Sequence, residues 1–95
     1  MFHHKNATFG IIGLGRFGTA LALKLVEAGY EVIVVDRNEN KVKAMREYTD
    51  YAYVTGELNK QTLEEIGIQN CDTVIICIGE AIDTSILVTL NVVNL

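Results

Sequence analysis

The segment that most constrains the fold is a glycine-rich turn directly after a short apolar stretch near the start of the chain. Gly13, Gly15 and Gly18 have the spacing GxGxxG, and the residues before them, Thr8–Ile12, are rich in strand formers. In a strand–turn–helix unit the first glycine allows the tight turn, the second lets a phosphate approach the backbone, and the third lets the helix pack closely. The free N–H groups that open the helix then face the phosphates. This segment therefore predicts a nucleotide-binding turn between a strand and a helix.

The residues after the turn support this interpretation, which matters because glycines at this spacing also occur by chance. Residues 19–28 are rich in helix formers, and Gly29 supplies a C-terminal cap. The next apolar run, residues 31–35, ends at Asp36, eighteen residues after Gly18. A carboxylate in that place can accept hydrogen bonds from both hydroxyls of a ribose. The order and spacing of the turn, the helix, the strand and the acid thus all fit a nucleotide-binding unit.

The rest of the chain alternates between segments typical of helices and of strands. Helices are predicted over residues 38–48, 59–66 and 81–94. Asn38 is the N-cap of the first of these helices, and apolar residues recur at helical spacing in the last. Strands are predicted over residues 51–55 and 73–78. This alternation predicts an α/β fold with a Rossmann-like, doubly wound parallel sheet of strand order 3-2-1-4. The last strands of such a fold are expected to be missing from this chain, which leaves the fourth strand with a free edge that another chain covers.

Composition and charge limit the classes of function. The 95 residues are 49% hydrophobic and 21% charged with a net charge of -4, which is typical of one soluble α/β domain. No basic stripe is present, which disfavours nucleic acid as a partner. The apolar runs are shorter than the roughly 20 residues of a membrane helix, and the start of the chain has no secretory signal, so the cytoplasm is expected. Cys71 and Cys77 match no zinc spacing and are predicted to be buried, reduced thiols.

The residues between the glycines are more specific than the glycines themselves. With Arg16 and Phe17 inside the turn, with Asp36-Arg37-Asn38 after the second strand, and with residues 63–68 before the fourth, the chain resembles the RCK (TrkA-N) domains that regulate potassium channels and transporters. It is similar in particular to the cytoplasmic subunit of Ktr-type potassium uptake systems. The resemblance implies that residues 1–95 are the truncated N-terminal nucleotide-binding domain of such a subunit.

The resemblance also implies a ligand and its contacts. The ligand would be ATP or ADP, with NAD(H) as the alternative, bound without chemical turnover. Gly13, Gly15 and Gly18 would frame the phosphates. Arg16 would reach the terminal phosphates, and Asp36 would hold the ribose. Further cofactor-binding residues would flank these groups, surround the adenine, or close the crevice from the other half of the sheet: Leu14, Phe17, Arg37, Asn38, Gly56, Glu57, Leu58, Ile78, Gly79 and Glu80.

The partners implied by the resemblance are a membrane potassium transporter subunit and further copies of the chain, which would form dimers and rings. The domain would then lie at the inner face of the plasma membrane, held there through the transporter. One difference from the family concerns the turn after the third strand. The family often has a Gly-Asp-Ala-Thr-like string there, and this chain has Gly56-Glu57-Leu58-Asn59, so its adenine contacts and nucleotide preference stay open.

Several charged residues have two interpretations each. Arg16 stands in the first turn of a helix, where the helix dipole disfavours a positive charge, and a bound phosphate would relieve that conflict. Asp36 is interpreted as a ribose ligand, with a role as an N-cap or turn former before the next helix as the alternative. An acid at this place argues against a ribose 2′-phosphate, whereas Arg37 beside it can accommodate one. Lys41 and Lys43 are interpreted as the solvated face of a helix.

A catalytic function lacks its usual residues in this sequence. His3 and His4 are the two histidines and belong to a terminus expected to fray. There is no Tyr-x-x-x-Lys pair, and neither cysteine stands beside a base. Binding without chemistry is therefore expected. Two alternatives stay open, an NAD-binding domain fragment of a dehydrogenase and an assembly module whose glycine turn binds nothing.

Overall fold

A computed structural model of the chain describes residues 7–78 and 86–90. These residues form one sheet with helices between its strands. The strands are β1 (Thr8–Ile12), β2 (Glu31–Asp36), β3 (Tyr51–Val54), β4 (Thr73–Ile78) and β5 (Ile86–Leu90), and the helices are α1 (Arg16–Glu27), α2 (Glu39–Met45) and α3 (Lys60–Ile66). A short 3₁₀ turn, Ile68–Asn70, precedes β4. Elements β1 to β4 and α1 to α3 lie close to where the sequence predicts them.

The sheet has the order β3-β2-β1-β4-β5, and its first four members in the chain are parallel. This confirms the predicted order 3-2-1-4 and the Rossmann-like α/β fold. Strand β1 lies in the centre, with Gly10 opposite Ile33 of β2 on one side and Val74 of β4 on the other. The carboxyl ends of β1, β2 and β4 therefore meet at one edge of the sheet, which is where ligands bind in folds of this type.

Helices cover both faces of the sheet, because the central strands are apolar on both sides. One buried cluster contains Val34 of β2 together with Ala22 of α1 and Val42 of α2. The other contains Val35 of β2 together with Ile68 of the 3₁₀ turn, and α3 packs against it through partly buried apolar side chains. Successive residues of a strand point to opposite faces, so the continuous apolar run of β2 supplies both clusters.

Residues 86–90 differ from their prediction. They form β5, which pairs antiparallel with β4 and places Ile86 opposite Ile78. The helix predicted over residues 81–94 is therefore wrong at these positions, and its other residues lie outside the described part of the chain. In the sequence Ile-Leu-Val-Thr-Leu four of the five residues are apolar and three are β-branched, and periodicity alone does not separate helix from strand in such a run. The pairing also satisfies the backbone groups along β4, so the edge predicted to be free is occupied.

Both cysteines are buried and neither forms a disulfide, in agreement with the prediction from the sequence. Burial, with smaller contributions from the charges of Asp72 and Glu31, raises the pKa of the Cys71 thiol to about 11. Burial also raises the pKa of Cys77. Because the thiolate is the reactive form of cysteine, folding protects both side chains twice, by limiting access and by keeping the proton.

We therefore expect Cys71 and Cys77 to react slowly with Ellman's reagent at pH 8 in the folded chain. Guanidinium should expose them, and a fall of the Cys71 pKa from about 11 to the ordinary value of 9.0 increases its thiolate fraction by roughly a hundredfold at pH 8. The measurement is the rate of thionitrobenzoate release with and without denaturant. Equal rates in the two conditions would contradict the buried positions of both thiols.

Candidate nucleotide-binding site

The turn between β1 and α1 has a backbone that only glycine fits at its first position. Gly13 has a φ of +105°, and its N–H donates to the carbonyl oxygen of Val35 at 2.8 Å. A Cβ atom at Gly13 would lie 2.0 Å from the carbonyl oxygen of Cys77. The turn is thus held between the ends of β2 and β4, as the role predicted for the first glycine requires.

The other two glycines of the motif bring α1 close to this turn. Gly15 is the N-cap of α1 and provides no side-chain cap, and the first turn of the helix contains no acidic residue. The first N–H groups of α1 therefore have no intrahelical acceptor and no carboxylate from that turn of the helix. A Cβ atom at Gly18 would lie 2.0 Å from the carbonyl oxygen of Gly13. This contact confirms that the third glycine allows the helix to pack closely on the turn.

Asp36 at the end of β2 joins two loops of the site. Its Oδ2 accepts a hydrogen bond from the N–H of Leu14 at 2.6 Å, and its Oδ1 accepts one from the N–H of Asn38 at 2.7 Å. The turn-forming role considered for Asp36 is therefore present, together with a link to the glycine turn that spacing does not reveal. A carboxylate has about four acceptor positions, so each oxygen keeps capacity for a further donor.

A cavity of about 700 Å³ opens at the carboxyl ends of the strands. This volume lies within the range of about 300–1,000 Å³ that is common for small-molecule sites. Most residues predicted to bind the nucleotide line it. They are Gly13, Leu14, Gly15, Arg16, Asp36, Arg37, Asn38, Gly56 and Leu58.

Three predicted residues do not line this cavity. Phe17 follows Arg16 on α1, and because neighbouring residues on a helix point in different directions its ring lies elsewhere, with 44% of its surface exposed. Gly18 is buried behind the turn, where it contacts Gly13. Glu57 is exposed on the loop after β3, where its N–H donates to the hydroxyl of Thr55 at 3.2 Å. Of the remaining predictions, Ile78 ends β4, and Gly79 and Glu80 lie outside the described residues.

The cavity also contains residues that the sequence did not assign to it, notably Lys41, Thr55 and Cys77. The sequence predicts Lys41 on the solvated face of a helix, and its side chain is exposed but also lines the cavity. Its position follows from the N-cap of α2, because the side chain of Asn38 accepts a hydrogen bond from the N–H of Lys41 at 3.1 Å. That cap, which the sequence does predict, is the signal that places the first turn of α2 beside the end of β2.

Among residues 7–78 and 86–90, the charged side chains that line the cavity are mostly positive. They are Arg16, Arg37 and Lys41, together with one acid, Asp36. Within the described residues, none of these three cations forms an ion pair. The cavity can therefore attract an anionic ligand, and the orientation of the first α1 N–H groups adds to this field.

Neither a membrane span nor a metal site is found in the described part of the chain. No helix there combines the length and the apolar character needed to cross a bilayer. No group of three His, Cys, Asp or Glu side chains among residues 7–78 and 86–90 could hold a metal ion.

The chain is similar in sequence to known proteins of one family. Residues 9–95 match the model of the TrkA-N domain. Ktr system potassium uptake protein A of Bacillus subtilis is 42% identical over 86 residues, which are 90% of this chain and 39% of that protein. Ktr system potassium uptake protein C of the same organism is 40% identical over 86% of this chain and 37% of that protein. The chain thus spans less than two fifths of the length of either relative.

A solved structure shares the fold. It is N5-carboxyaminoimidazole synthetase from Staphylococcus aureus complexed with ADP, which matches 78% of this chain and 19% of that protein at a TM-score of 0.62 and 28% identity. The match supports the Rossmann-like arrangement described above. The family match covers nearly the whole chain and agrees with the motif, the sheet order and the relatives, and the chain belongs to the TrkA-N domain family.

Proposed function

We propose that this chain is a nucleotide-binding regulatory domain of a potassium uptake system and that it binds ATP or ADP without turning the nucleotide over. The observation that carries the proposal is the meeting of the glycine turn, Asp36 and Arg16 in one cavity at the carboxyl ends of the strands. The names of the relatives, which are potassium uptake proteins, support the biological part of the proposal.

The cavity suggests how a nucleotide is held. The phosphates of the nucleotide lie against the backbone of Gly15 and the first N–H groups of α1, with the guanidinium of Arg16 nearby. The ribose hydroxyls donate to the acceptor positions that Asp36 has left. The base occupies the side of Gly56 and Leu58, since a Cβ atom at Gly56 would meet nothing within 4 Å and Leu58 exposes 51% of its apolar side chain.

Regulation follows if the two nucleotides differ in affinity between two states of an assembly. A ligand shifts such an equilibrium only by its difference in affinity for the states. Arg16 is the residue best placed to distinguish ATP from ADP, because it is the cation on the glycine turn. The assembly would be a homo-oligomer, a dimer or a ring of dimers, that acts on a membrane potassium transporter subunit from the cytoplasmic side of the plasma membrane.

NAD(H) is a second ligand to test, because an acid at the end of β2 is typical of dinucleotide sites. Tight binding of NADH with little affinity for ATP would favour the cofactor domain of a dehydrogenase. Absence of binding by ATP, ADP and NADH would favour an assembly module and would contradict the proposed function.

We expect Arg16→Ala to weaken ATP more than ADP, by about tenfold, since one charge-assisted hydrogen bond to the third phosphate is lost. Removing a cation from the first turn of α1 should not destabilise the chain, so the loss of affinity is not a loss of folding. The measurement is thermal stabilisation at increasing nucleotide concentration, where a ligand at about 100 times its dissociation constant stabilises by roughly 2.7 kcal/mol.

The matched control is Arg46→Ala, because Arg46 is also an exposed arginine at a helix end but does not line the cavity. It should leave both affinities unchanged. An unchanged preference for ATP over ADP in Arg16→Ala would refute the role given to Arg16.

A further inference from the structure

The cations of the cavity belong to two different loops. Arg16 is on the glycine turn after β1, where the 5′-phosphates of the proposed nucleotide lie. Arg37 and Lys41 follow β2, next to Asp36. Both are exposed, and neither forms an ion pair within the described residues. A nucleotide whose phosphates all stand at the 5′ position would engage Arg16 and leave this second pair of cations at the ribose without an anionic partner.

The acid beside this pair offsets only one of its two positive charges. Each oxygen of Asp36 accepts a backbone N–H, from Leu14 at 2.6 Å and from Asn38 at 2.7 Å. These two donors stabilise the carboxylate from the protein side, and Asp36 forms no ion pair with Arg37. Among the described residues, the side of the cavity next to Asp36 therefore carries two cations without an ion pair and one carboxylate that already has two hydrogen-bond donors.

The fold also fixes the backbone of Lys41. Its N–H donates to the side chain of Asn38 at 3.1 Å, so the first turn of α2 is anchored at the end of β2. Lys43, two residues later, does not line the cavity. Of the two lysines on this helix, Lys41 is therefore the one that lies at the cavity.

We propose that the cavity prefers nucleotides that carry a phosphate on the ribose, at the 2′- or the 3′-hydroxyl, in addition to the phosphate at the 5′ position. Arg37 and Lys41 bind this second phosphate, and Asp36 accepts a hydrogen bond from the hydroxyl that remains. In Rossmann-type sites an acid at the end of β2 binds a free ribose hydroxyl, and a nearby arginine accommodates a ribose phosphate. This chain has both groups, and guanidinium groups bind phosphate with charge-assisted, frequently bidentate hydrogen bonds. The inference rests on the proposed nucleotide-binding function and adds the class of nucleotide.

The test compares three ligands that differ only at the ribose: AMP, adenosine 2′,5′-bisphosphate and adenosine 3′,5′-bisphosphate. Calorimetric titration of the whole chain should show that one bisphosphate binds at least about tenfold more tightly than AMP. The tighter of the two identifies the hydroxyl that carries the phosphate. Because the added contact is ionic, the preference should shrink as salt is added.

The variants Arg37→Ala and Lys41→Ala assign the contact. The readout is the ratio of bisphosphate affinity to AMP affinity in each variant, since any effect on nucleotide binding in general cancels in that ratio. We expect the ratio to fall towards one. Lys43→Ala is the matched control on the same helix and should keep both the ratio and the AMP affinity of the wild type.

Two results would overturn the inference while nucleotide binding itself stands. One is wild-type affinity for AMP that equals or exceeds the affinity for both bisphosphates. The other is a bisphosphate preference that survives in both variants. Absence of binding by these three ligands and by ATP and ADP would instead contradict the proposed function, and the inference would fail with it.

Discussion

Replacing Gly13 with alanine should lower the free energy of unfolding by about 3–5 kcal/mol, the sum of backbone strain and overpacking. The residue has a φ of +105°, which an alanine adopts at a cost. Its new Cβ atom would lie 2.0 Å from the carbonyl oxygen of Cys77. That oxygen belongs to β4, which is paired with β1 over four residues, so the backbone cannot simply move away. Such a loss is comparable to the whole stability of a small domain.

The measurement is chemical denaturation followed by far-ultraviolet circular dichroism. Gly56→Ala is the control, because a Cβ atom there would meet nothing within 4 Å and Gly56 does not have a positive φ. Its effect on stability should stay within about 1 kcal/mol. Gly18→Ala provides a second case, since its Cβ atom would lie 2.0 Å from the carbonyl oxygen of Gly13. Wild-type stability of Gly13→Ala would show that the turn is not built as described.

Asp36→Ala should have the largest effect on binding. The substitution leaves the N–H groups of Leu14 and Asn38 without their acceptor, and the partly buried bond to Leu14 should cost about 1–3 kcal/mol of stability. The ribose contact is lost at the same time, and the glycine turn loses its link to β2. We expect nucleotide affinity to fall by about tenfold to a hundredfold, as for the loss of a hydrogen bond to a charged group together with its positioning effect.

Ligand analogues separate the two roles of Asp36. If its carboxylate accepts hydrogen bonds from the ribose, wild-type chain should bind ADP more tightly than 2′-deoxy-ADP or 3′-deoxy-ADP. The Asp36→Ala variant should bind ADP and either deoxy analogue with equal affinity. Asp50→Ala, at an exposed acid outside the cavity, should behave as wild type. Equal discrimination in wild type and Asp36→Ala would limit Asp36 to holding the turn.

The fold could be predicted as far as β4, because each element up to that strand has a local signal in the sequence. The glycine motif fixes β1 and the start of α1, and Asn38 and Asn59 both cap helices as side-chain acceptors. Gly67 ends α3 in the left-handed conformation at a φ of +99°. Residues 86–90 carry no such signal. Their pairing with β4 depends on a neighbouring strand, which hydrophobic periodicity does not encode.

The site could be predicted where it follows the ends of single elements. Gly13, Arg16 and Asp36 stand at strand or helix ends that the motif defines, and the cavity contains all three. The bond from the Leu14 N–H to Asp36 could not be predicted, because it joins residues 22 positions apart through the pairing of β1 with β2. The place of Lys41 at the cavity could not be predicted for a similar reason, since only the packing of α2 beside β2 shows which lysine lies there.

The central claim is that the glycine turn and the end of β2 form one nucleotide site. Titration of ADP into ¹⁵N-labelled chain, followed by ¹H–¹⁵N correlation spectra, tests it residue by residue. The largest shift changes should fall on the amides of Leu14, Gly15 and Arg16 and on those around Asp36, in a saturable manner. Spectra that do not change with ADP, or changes confined to exposed residues outside the cavity such as Tyr48 and Tyr51, would contradict the claim.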